Sequence, residues 1–511
     1  MAQQREHIYI AAPGFKGLNT QESPVAQDAT FAAIAENVVI DKFGRIGARK
    51  GLKKLTSSAT PLGSSDGIEA IFEFVDESGD KVVLSAGNNK IFKGTTTLTD
   101  ITPAGYTPTA NNWKIVNFNN HVYFFQRDHE SLLGTDESGS FVLQAFSSHA
   151  HATGTAPQAN EACAAFGRLW VADVTGNKHT LFFSDLLNGH AWSGGSSGSL
   201  DLTTVFPEGF DEIVAVREFN DFLVIFGKRS ILLYSGASSP STMVLADVIT
   251  GIGCIARDSI QSIGTDLIFL SNSGVRSLGR VIQEKSSPIG DISVNVRDTL
   301  MTAVSVETGN IKSVYSEEDA FYLLILPEVN NLVFCFDMRG KLENGANRAT
   351  TWPFTGILCA TTTDDNEVYF GSSKGISEYE GFLDDTSTYT MKYFTNALSF
   401  GDASKLKILK EITFTIVGGQ ATKLLLNWGY DYTEGYTKQL LTVDDASIAE
   451  YGISEYNVAT SQYNASIIVN KATTKTTGSG RVVTIGLEAT INDKQFSIQD
   501  VNIEAFIGRS I

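Results

Sequence analysis

Cysteine is scarce in this chain. Four residues, Cys163, Cys254, Cys335 and Cys359, are dispersed over 511 positions with no CxxC pair and no short framework spacing. That excludes a thiolate metal site and a dense disulfide scaffold, and leaves four small core residues in a reducing assembly compartment. Long apolar runs are missing as well. The stretch 321–326 (FYLLIL) is among the longest and falls far short of a membrane span. The opening MAQQREHIYI has no continuous apolar segment, so no export signal is expected. There is no Walker GxxxxGK(S/T), no GxSxG elbow, no Rossmann GxGxxG leading into a helix and no HExxH. Positive charge is short: 39 Lys and Arg stand against 57 Asp and Glu, a net charge of -18. A general nucleic-acid binder needs the opposite balance, although a surface past which DNA slides without sticking is compatible with it. Solubility is the simplest consequence of the charge.

What is present is β-structure in repeats. The chain is 42% hydrophobic and 19% charged, with 46 Gly and 11 Pro and many Thr, Ser and Asn, a mixture that suits many strands joined by many turns. Its length calls for two or three domains. A unit of apolar strand, tight turn and second strand recurs from Val82, Val122, Leu169, Leu223, Leu267, Phe321 and Val368, at spacings of 40, 47, 54, 44, 54 and 47. No copy is apolar enough to stand alone. An all-β repeat of this size predicts a radial array, a β-propeller of six or seven blades whose neighbours bury each other's faces. Gly, Asn and Asp fill the turns, as at Asn220-Asp221, because tight hairpins need positive φ. Two breaks stand out: 132–157 reads as an excursion from the array, and 193–199 as a flexible loop.

The flanks differ from the array. Residues 1–60 read as an N-terminal arm, with Asp28 capping a short Ala-rich helix towards Asn37 and a strand following from Val38. The array occupies 61–385. Residues 386–511 carry longer alternating strands and are expected to form a β-sandwich-like domain, with a polar surface lobe around 432–477. Within 496–507 the period-two order breaks once at Gln499-Asp500, which predicts a bulge or turn there.

Reactive constellations are hard to place. His149-x-His151 is the only close histidine pair in sequence; without a third ligand it reads as a solvated loop. Acidic pairs such as Asp364-Asp365 sit at strand boundaries, where turns are expected, and no pair for glycoside hydrolysis can be assigned. Ser184, Asp185, Asn188, Gly189 and Trp192 approximate a Ser-x-Asp-x-Gly-x-x-Trp turn found between the strands of some glycan-active propellers, and read as a capped turn pinned by the indole. Lys42, Arg45, Arg49, Lys50, Lys53 and Lys54 form the densest positive patch. Internal ion pairs, an acidic neighbouring subunit and DNA are its candidate partners, in that order.

The arm motif Gly17, Leu18, Asn19, then Ser23-Pro24, Ala35 and Asn37, and the basic strand through Arg45, Arg49, Lys50 and Gly51 together resemble the opening of tail tubular or nozzle proteins and packaged-DNA stabilisation (tail hub) proteins of short-tailed phages. The hairpin from Asp266 to Leu278 and the turn from Ser184 to Trp192 are similar to elements of that family too. The resemblance implies a structural, non-enzymatic virion protein, assembled in the host cytoplasm and located in the virion tail. It would form a homo-hexameric ring at the distal part of the tail and meet an adaptor or portal-proximal ring on one side. Fibre, spike or needle proteins would attach on the other. Double-stranded DNA would pass through without sequence-specific binding, helped by like charge, and the packaged genome would be retained. No cofactor, metal ligand or catalytic residue follows from it. A carbohydrate-binding or carbohydrate-cleaving propeller adhesin is the alternative, supported by the array, the Ser184 to Trp192 turn and the polar C-terminal lobe.

Overall fold

A computed structural model describes residues 4–57, 67–87, 89–107, 112–135, 141–207, 209–284, 291–432, 435–443 and 469–510. The architecture is all-β with several small antiparallel sheets. Among the described residues seven follow one another along the chain. Sheet 1 holds Ile68–Val75, Lys81–Gly87, Lys90–Lys93 and Thr99–Asp100; sheet 2 holds Lys114–Phe118, His121–Phe125, Leu132–Thr135 and Val142–Ala145. Sheet 3 holds Ala159–Ala165, Arg168–Val174, Thr180–Phe183 and Gly198–Asp201; sheet 4 holds Ile213–Phe219, Phe222–Gly227, Ser230–Ser235 and Val244–Thr250. Sheet 5 is three-stranded, with Gln261–Ser262, Leu267–Ser271 and Gly274–Ser277. Sheet 6 comprises Lys312–Ser316, Phe321–Leu326, Leu332–Lys341 and Asn347–Pro353 and continues into a larger sheet. Sheet 7 comprises Ile357–Thr362, Val368–Ser372 and Gly375–Glu378, completed by Lys53–Lys54 from the N-terminal region. Each recurring sequence unit supplies the second strand of one sheet.

The period of a strand explains how the sheets stack. Alternate side chains point to opposite faces. Val122 and Phe124 face a core shared with sheet 1, whereas Tyr123 and Phe125 face one shared with sheet 3. Leu169 and Val171 turn towards sheet 2, and Trp170 and Ala172 towards sheet 4. Val224 and Phe226 meet Leu267 and Phe269 between sheets 4 and 5. Tyr322 and Leu324 meet Ile268 and Leu270, while Phe321 and Leu323 meet Val368 and Phe370. Ile68 and Phe92 of sheet 1 then pack on Cys359 and Ile376 of sheet 7, so the succession returns to its start. Both faces are covered, which is why these strands read as continuous apolar runs. Tight turns allow the hairpins: Asn220 and Asp221 both take positive φ, 47° and 62°, the pairing a two-residue type I′ loop requires.

The N-terminal region departs from expectation. Phe31–Glu36 is a strand, not a helix. It runs parallel to Gly17–Leu18 and antiparallel to Tyr389–Thr395, and these ladders outweigh alanine's helix propensity. The start of the chain is woven into the C-terminal sheets: Gln4–Ala11 pairs along Phe496–Ser510, which also pairs with Lys405–Gly418 and Ile46–Ala48. The sheet continuing from sheet 6 adds Phe31–Glu36, Tyr389–Thr395, Val483–Ile491, Lys423–Tyr430 and Thr437–Thr442. Residues of both C-terminal sheets, including Ile412, Phe414, Leu487, Ile498 and Ile503, share one core. The bulge expected at Gln499-Asp500 is present, since Thr415 pairs with Asp500 and Ile416 with Ile498, leaving Gln499 over. Most of the expected polar lobe, 444–468, lies outside the described residues.

Two loop expectations are also corrected. Leu132–Thr135 and Val142–Ala145 are regular strands of sheet 2, so the excursion narrows to the segment after Ala145. The segment 193–199 is tied down, with Ser196 donating through backbone N and Oγ to Asp185 at 2.9 and 2.7 Å. Two helices, Leu278–Glu284 and Arg297–Val306, separate sheets 5 and 6; no described helix is long and apolar enough to cross a membrane.

Candidate functional site

The first strands of the seven sheets converge on one cavity of about 540 Å³. Each sheet contributes to the wall: Glu69, Lys114, Cys163, Arg217, Asp258 with Gln261, Lys312 with Ser313, and Cys359, in sheet order. Most strands bring apolar faces to their neighbours, so their inward ends are where charge can be held in common.

An ion network organises this axis. Asp258 Oδ2 accepts from Arg257 Nη2 and Lys312 Nζ, both at 2.6 Å, and Oδ1 lies 3.1 Å from Arg257 Nε and 3.4 Å from Lys114 Nζ. Glu161, with no exposed side-chain surface, accepts from the Val216 backbone N–H at 3.1 Å and from Arg217; its second oxygen lies 3.7 Å from Lys114 and 3.9 Å from Arg257. Arg257 is the tie. It donates to the Asn112 side chain at 2.7 Å and to the Trp113 carbonyl at 2.8 Å, and it also reaches Asn160. One guanidinium thus joins the starts of sheets 2, 3 and 5.

The charges have predictable effects on one another. Burial pushes Lys114 down and Arg217 pushes the same way, with Glu161 and Asp258 countering only in part. Burial also opposes the charge of Arg217, but Glu161, Cys163 and Asp258 outweigh it and raise its pKa. Burial alone would raise Asp258; Arg257, Lys312 and Lys114 prevail and hold it well below the usual carboxylate range. Cys163, on the wall, is pushed up to about 11 by burial. By formal charge, three cations of the cavity wall, Lys114, Arg217 and Lys312, stand against two carboxylates, Glu69 and Asp258, an excess of one positive charge inside an acidic chain. Among the described residues no group of three or more His, Cys, Asp or Glu is arranged to hold a metal ion.

The residues singled out in the sequence lie elsewhere. Gly17 has φ 77°, and an added Cβ would sit 2.7 Å from the Ala349 carbonyl oxygen; Leu18 is buried; the Asn19 side chain accepts from the Gln21 backbone at 3.0 Å. Arg45 pairs with Asp41 at 2.8 Å and covers the Phe43 ring. Arg49 is buried between the rings of Phe354 and Tyr389, 4.0 and 4.1 Å from their centroids, and forks onto Asp384 at 2.8 and 2.7 Å. Lys50 reaches Glu318 and Asp319, both at 3.4 Å. These three cations hold partners within the same chain. In the turn, Ser184 Oγ accepts the Leu169 N–H at 3.0 Å, Asp185 receives Ser196, Asn188 receives the His190 N–H at 3.1 Å, and Gly189 lies against Tyr123. The Trp192 backbone N–H donates to Thr153 at 2.8 Å. Of the residues singled out in the sequence, Cys163 and Cys359 line the axial cavity, whereas none of the arm or turn residues does. Lys114, Glu161, Arg217, Asp258 and Lys312 were missed, yet each stands six to nine residues ahead of a recurring hairpin, on its first strand or, for Asp258, just before it.

No protein-family model matches this chain, and neither does any curated protein. Solved structures give distant likenesses. An extracellular domain of a one-component system from B. thetaiotaomicron has 10% identity and TM-score 0.42, covering 68% of this chain and 46% of its own length, so the chain spans about half of that protein domain. The WD40 β-propeller domain of Doa1 has 13% identity and TM-score 0.36, covering 63% of this chain and 95% of that one. Streptogramin B lyase has 10% identity and TM-score 0.35, covering 65% and 97%. These likenesses are to propeller and extracellular-sensor domains. They correct the expectation of a virion tail-ring subunit that continues a DNA channel, retains the genome and carries fibres, and that reading is set aside.

Proposed function

We propose that this chain is a seven-bladed β-propeller that binds an acidic carbohydrate in its axial cavity. The carrying observation is the positive remainder at the axis of a chain whose net charge is -18. Such a cavity, walled by protein of low dielectric, focuses its field on an entering anion. Its volume, about 540 Å³, is in the range of small-ligand pockets. A sugar acid suits the mixed wall. Its hydroxyls both donate and accept, matching Asp258, Gln261 and Ser313, while its carboxylate meets Lys114 and Arg217. Binding is favoured over cleavage because Asp258 is held ionised by three cations and so lacks the raised pKa of a general acid.

Calorimetric titration of the full chain with oligogalacturonate, and with a neutral galactose oligomer of equal length, tests this. The acidic ligand should bind at least tenfold more tightly at low salt, with a preference that shrinks as salt rises. Arg217→Gln, and separately Lys114→Gln, should erase the preference in a folded protein. Equal affinity for the two oligomers, or an undiminished preference in both variants, overturns the proposal.

A further inference from the structure

Trp192, at the end of the turn, lines a second cleft of about 460 Å³, which shares no residue with the axial cavity. Sheet 3 supplies most of it. Val174 ends the second strand, and Phe182 of the third strand lies opposite Ser199 of the fourth. Pro157 precedes the first strand, and the Trp192 backbone N–H donates to the Thr153 carbonyl at 2.8 Å. Val174, Phe182 and Trp192 pack, half-buried, on the core between sheets 2 and 3, so the floor is apolar and aromatic. The rim is polar. Thr155, Gln158 and Ser199 are exposed, and their side chains hold no hydrogen bond within the described residues. Among the described residues, none of the nine that line the cleft is ionisable. One donor of the wall is unsatisfied. The indole Nε1 of Trp192 is buried without an acceptor, whereas those of Trp170, Trp352 and Trp428 donate to the carbonyls of Ala165, Val38 and Thr477 at 3.0, 2.8 and 3.0 Å. A buried indole N–H ordinarily finds a partner, and one left open beside a cleft invites an oxygen from outside the chain.

We propose that this cleft binds an uncharged pyranose whose ring hydroxyls are equatorial, such as a β-glucoside. An apolar floor with a few convergent polar groups is the pattern of a small-ligand site. An all-equatorial ring presents only C–H bonds on both faces, which suits the aromatic surface of Phe182 and Trp192. Its hydroxyls lie around the edge, where each both donates and accepts, as the Thr155 and Ser199 hydroxyls and the Gln158 amide require. A sugar oxygen at the floor takes the Trp192 N–H. A flat apolar compound would cover the floor but leave that N–H and the rim unpaired. An anion would gain nothing from a wall without cations, in contrast to the axial cavity. Galactose carries an axial hydroxyl at C4, which interrupts one apolar face and seats less well.

Titration of the full chain with cellobiose, followed by NMR of the tryptophan indole N–H resonances, tests the site. The Trp192 resonance, assigned as the one missing from Trp192→Phe, should move saturably while those of Trp170, Trp352 and Trp428 stay in place. The affinity should change by less than about twofold when salt is raised, because no charge pair forms. Gln158→Ala and Ser199→Ala, both at exposed positions outside the core, should each weaken binding by about threefold or more through the lost hydrogen bond. A Trp192 resonance that stays in place throughout, an affinity that falls steeply with salt, or an unchanged affinity in both rim variants overturns the proposal. Should Trp192→Phe misfold, calorimetry of the wild type against the two rim variants decides by the same affinities.

Discussion

Asp258→Asn should loosen the axis at the start of sheet 5, where it meets sheets 6 and 2, by an amount the geometry sets. Its carboxylate receives Arg257 and Lys312 at 2.6 Å each and lies 3.4 Å from Lys114. At an effective dielectric of about 20, unit charges about 4 Å apart interact by roughly 4 kcal/mol, before the penalty of desolvation. Removing one partner of a buried ion pair costs about 3–5 kcal/mol, because the remaining charges are left uncompensated. Asparagine keeps one acceptor oxygen and the side chain is 18% exposed, which places the loss near the lower end, about 3 kcal/mol. Cys254 reports it. The thiol is fully buried four residues upstream, bonded to Ala256 and Ser259, and burial pushes it up to about 11, so it reacts only when the segment leading into sheet 5 opens. Thiol labelling under native conditions, resolved to Cys254 by peptide mass spectrometry, should be roughly a hundredfold faster in the variant, the equivalent of about 3 kcal/mol. The pH dependence has a fixed sign. A carboxyl held below its unfolded value of about 3.9 stabilises the fold above that pH, and the stabilisation is lost as pH falls through the folded value. The difference between wild type and variant should be constant from pH 5 to 8 and shrink only below about pH 4. A rate change under fivefold, or a difference that grows on acidification, refutes the reasoning.

Three further outcomes follow from the same contacts. Arg49→Ala should lower stability by about 3 kcal/mol or more in urea unfolding, since it strips Asp384 of a forked partner and opens the gap between Phe354 and Tyr389. Arg49→Lys should recover only part of that, because an ammonium can neither fork nor stack. Ser184→Ala should speed exchange of the Leu169 amide and cost about 1–2 kcal/mol, as that buried N–H loses its acceptor.

The scaffold was legible because it is written in short-range patterns. Runs such as 122–125 and 321–326 are apolar at every position because alternate side chains serve two different cores, and turn residues such as Asn220 and Asp221 mark where hairpins reverse. The helix expected towards Asn37 failed because its partners, Gly17–Leu18 and Tyr389–Thr395, include one more than 350 residues away. Gly17, Asn37 and Arg49, which carried the likeness to tail proteins, answer to local demands of packing. Gly17 faces the Ala349 backbone, and the Asn37 side chain bridges Arg49 and the Thr390 carbonyl at 2.8 and 2.7 Å. The axial site was hidden for a different reason. Lys114, Glu161, Arg217, Asp258 and Lys312 are scattered over nearly 200 positions and meet only when the sheets close around the axis.

A crystal structure of the full chain with trigalacturonate bound tests the central claim most directly. The account predicts a uronate carboxylate in the axial cavity, within roughly 3 Å of the Lys114 ammonium or the Arg217 guanidinium, as charge-assisted hydrogen bonds require. Ligand ordered elsewhere, with the axial side chains unmoved and the cavity holding only solvent, contradicts it.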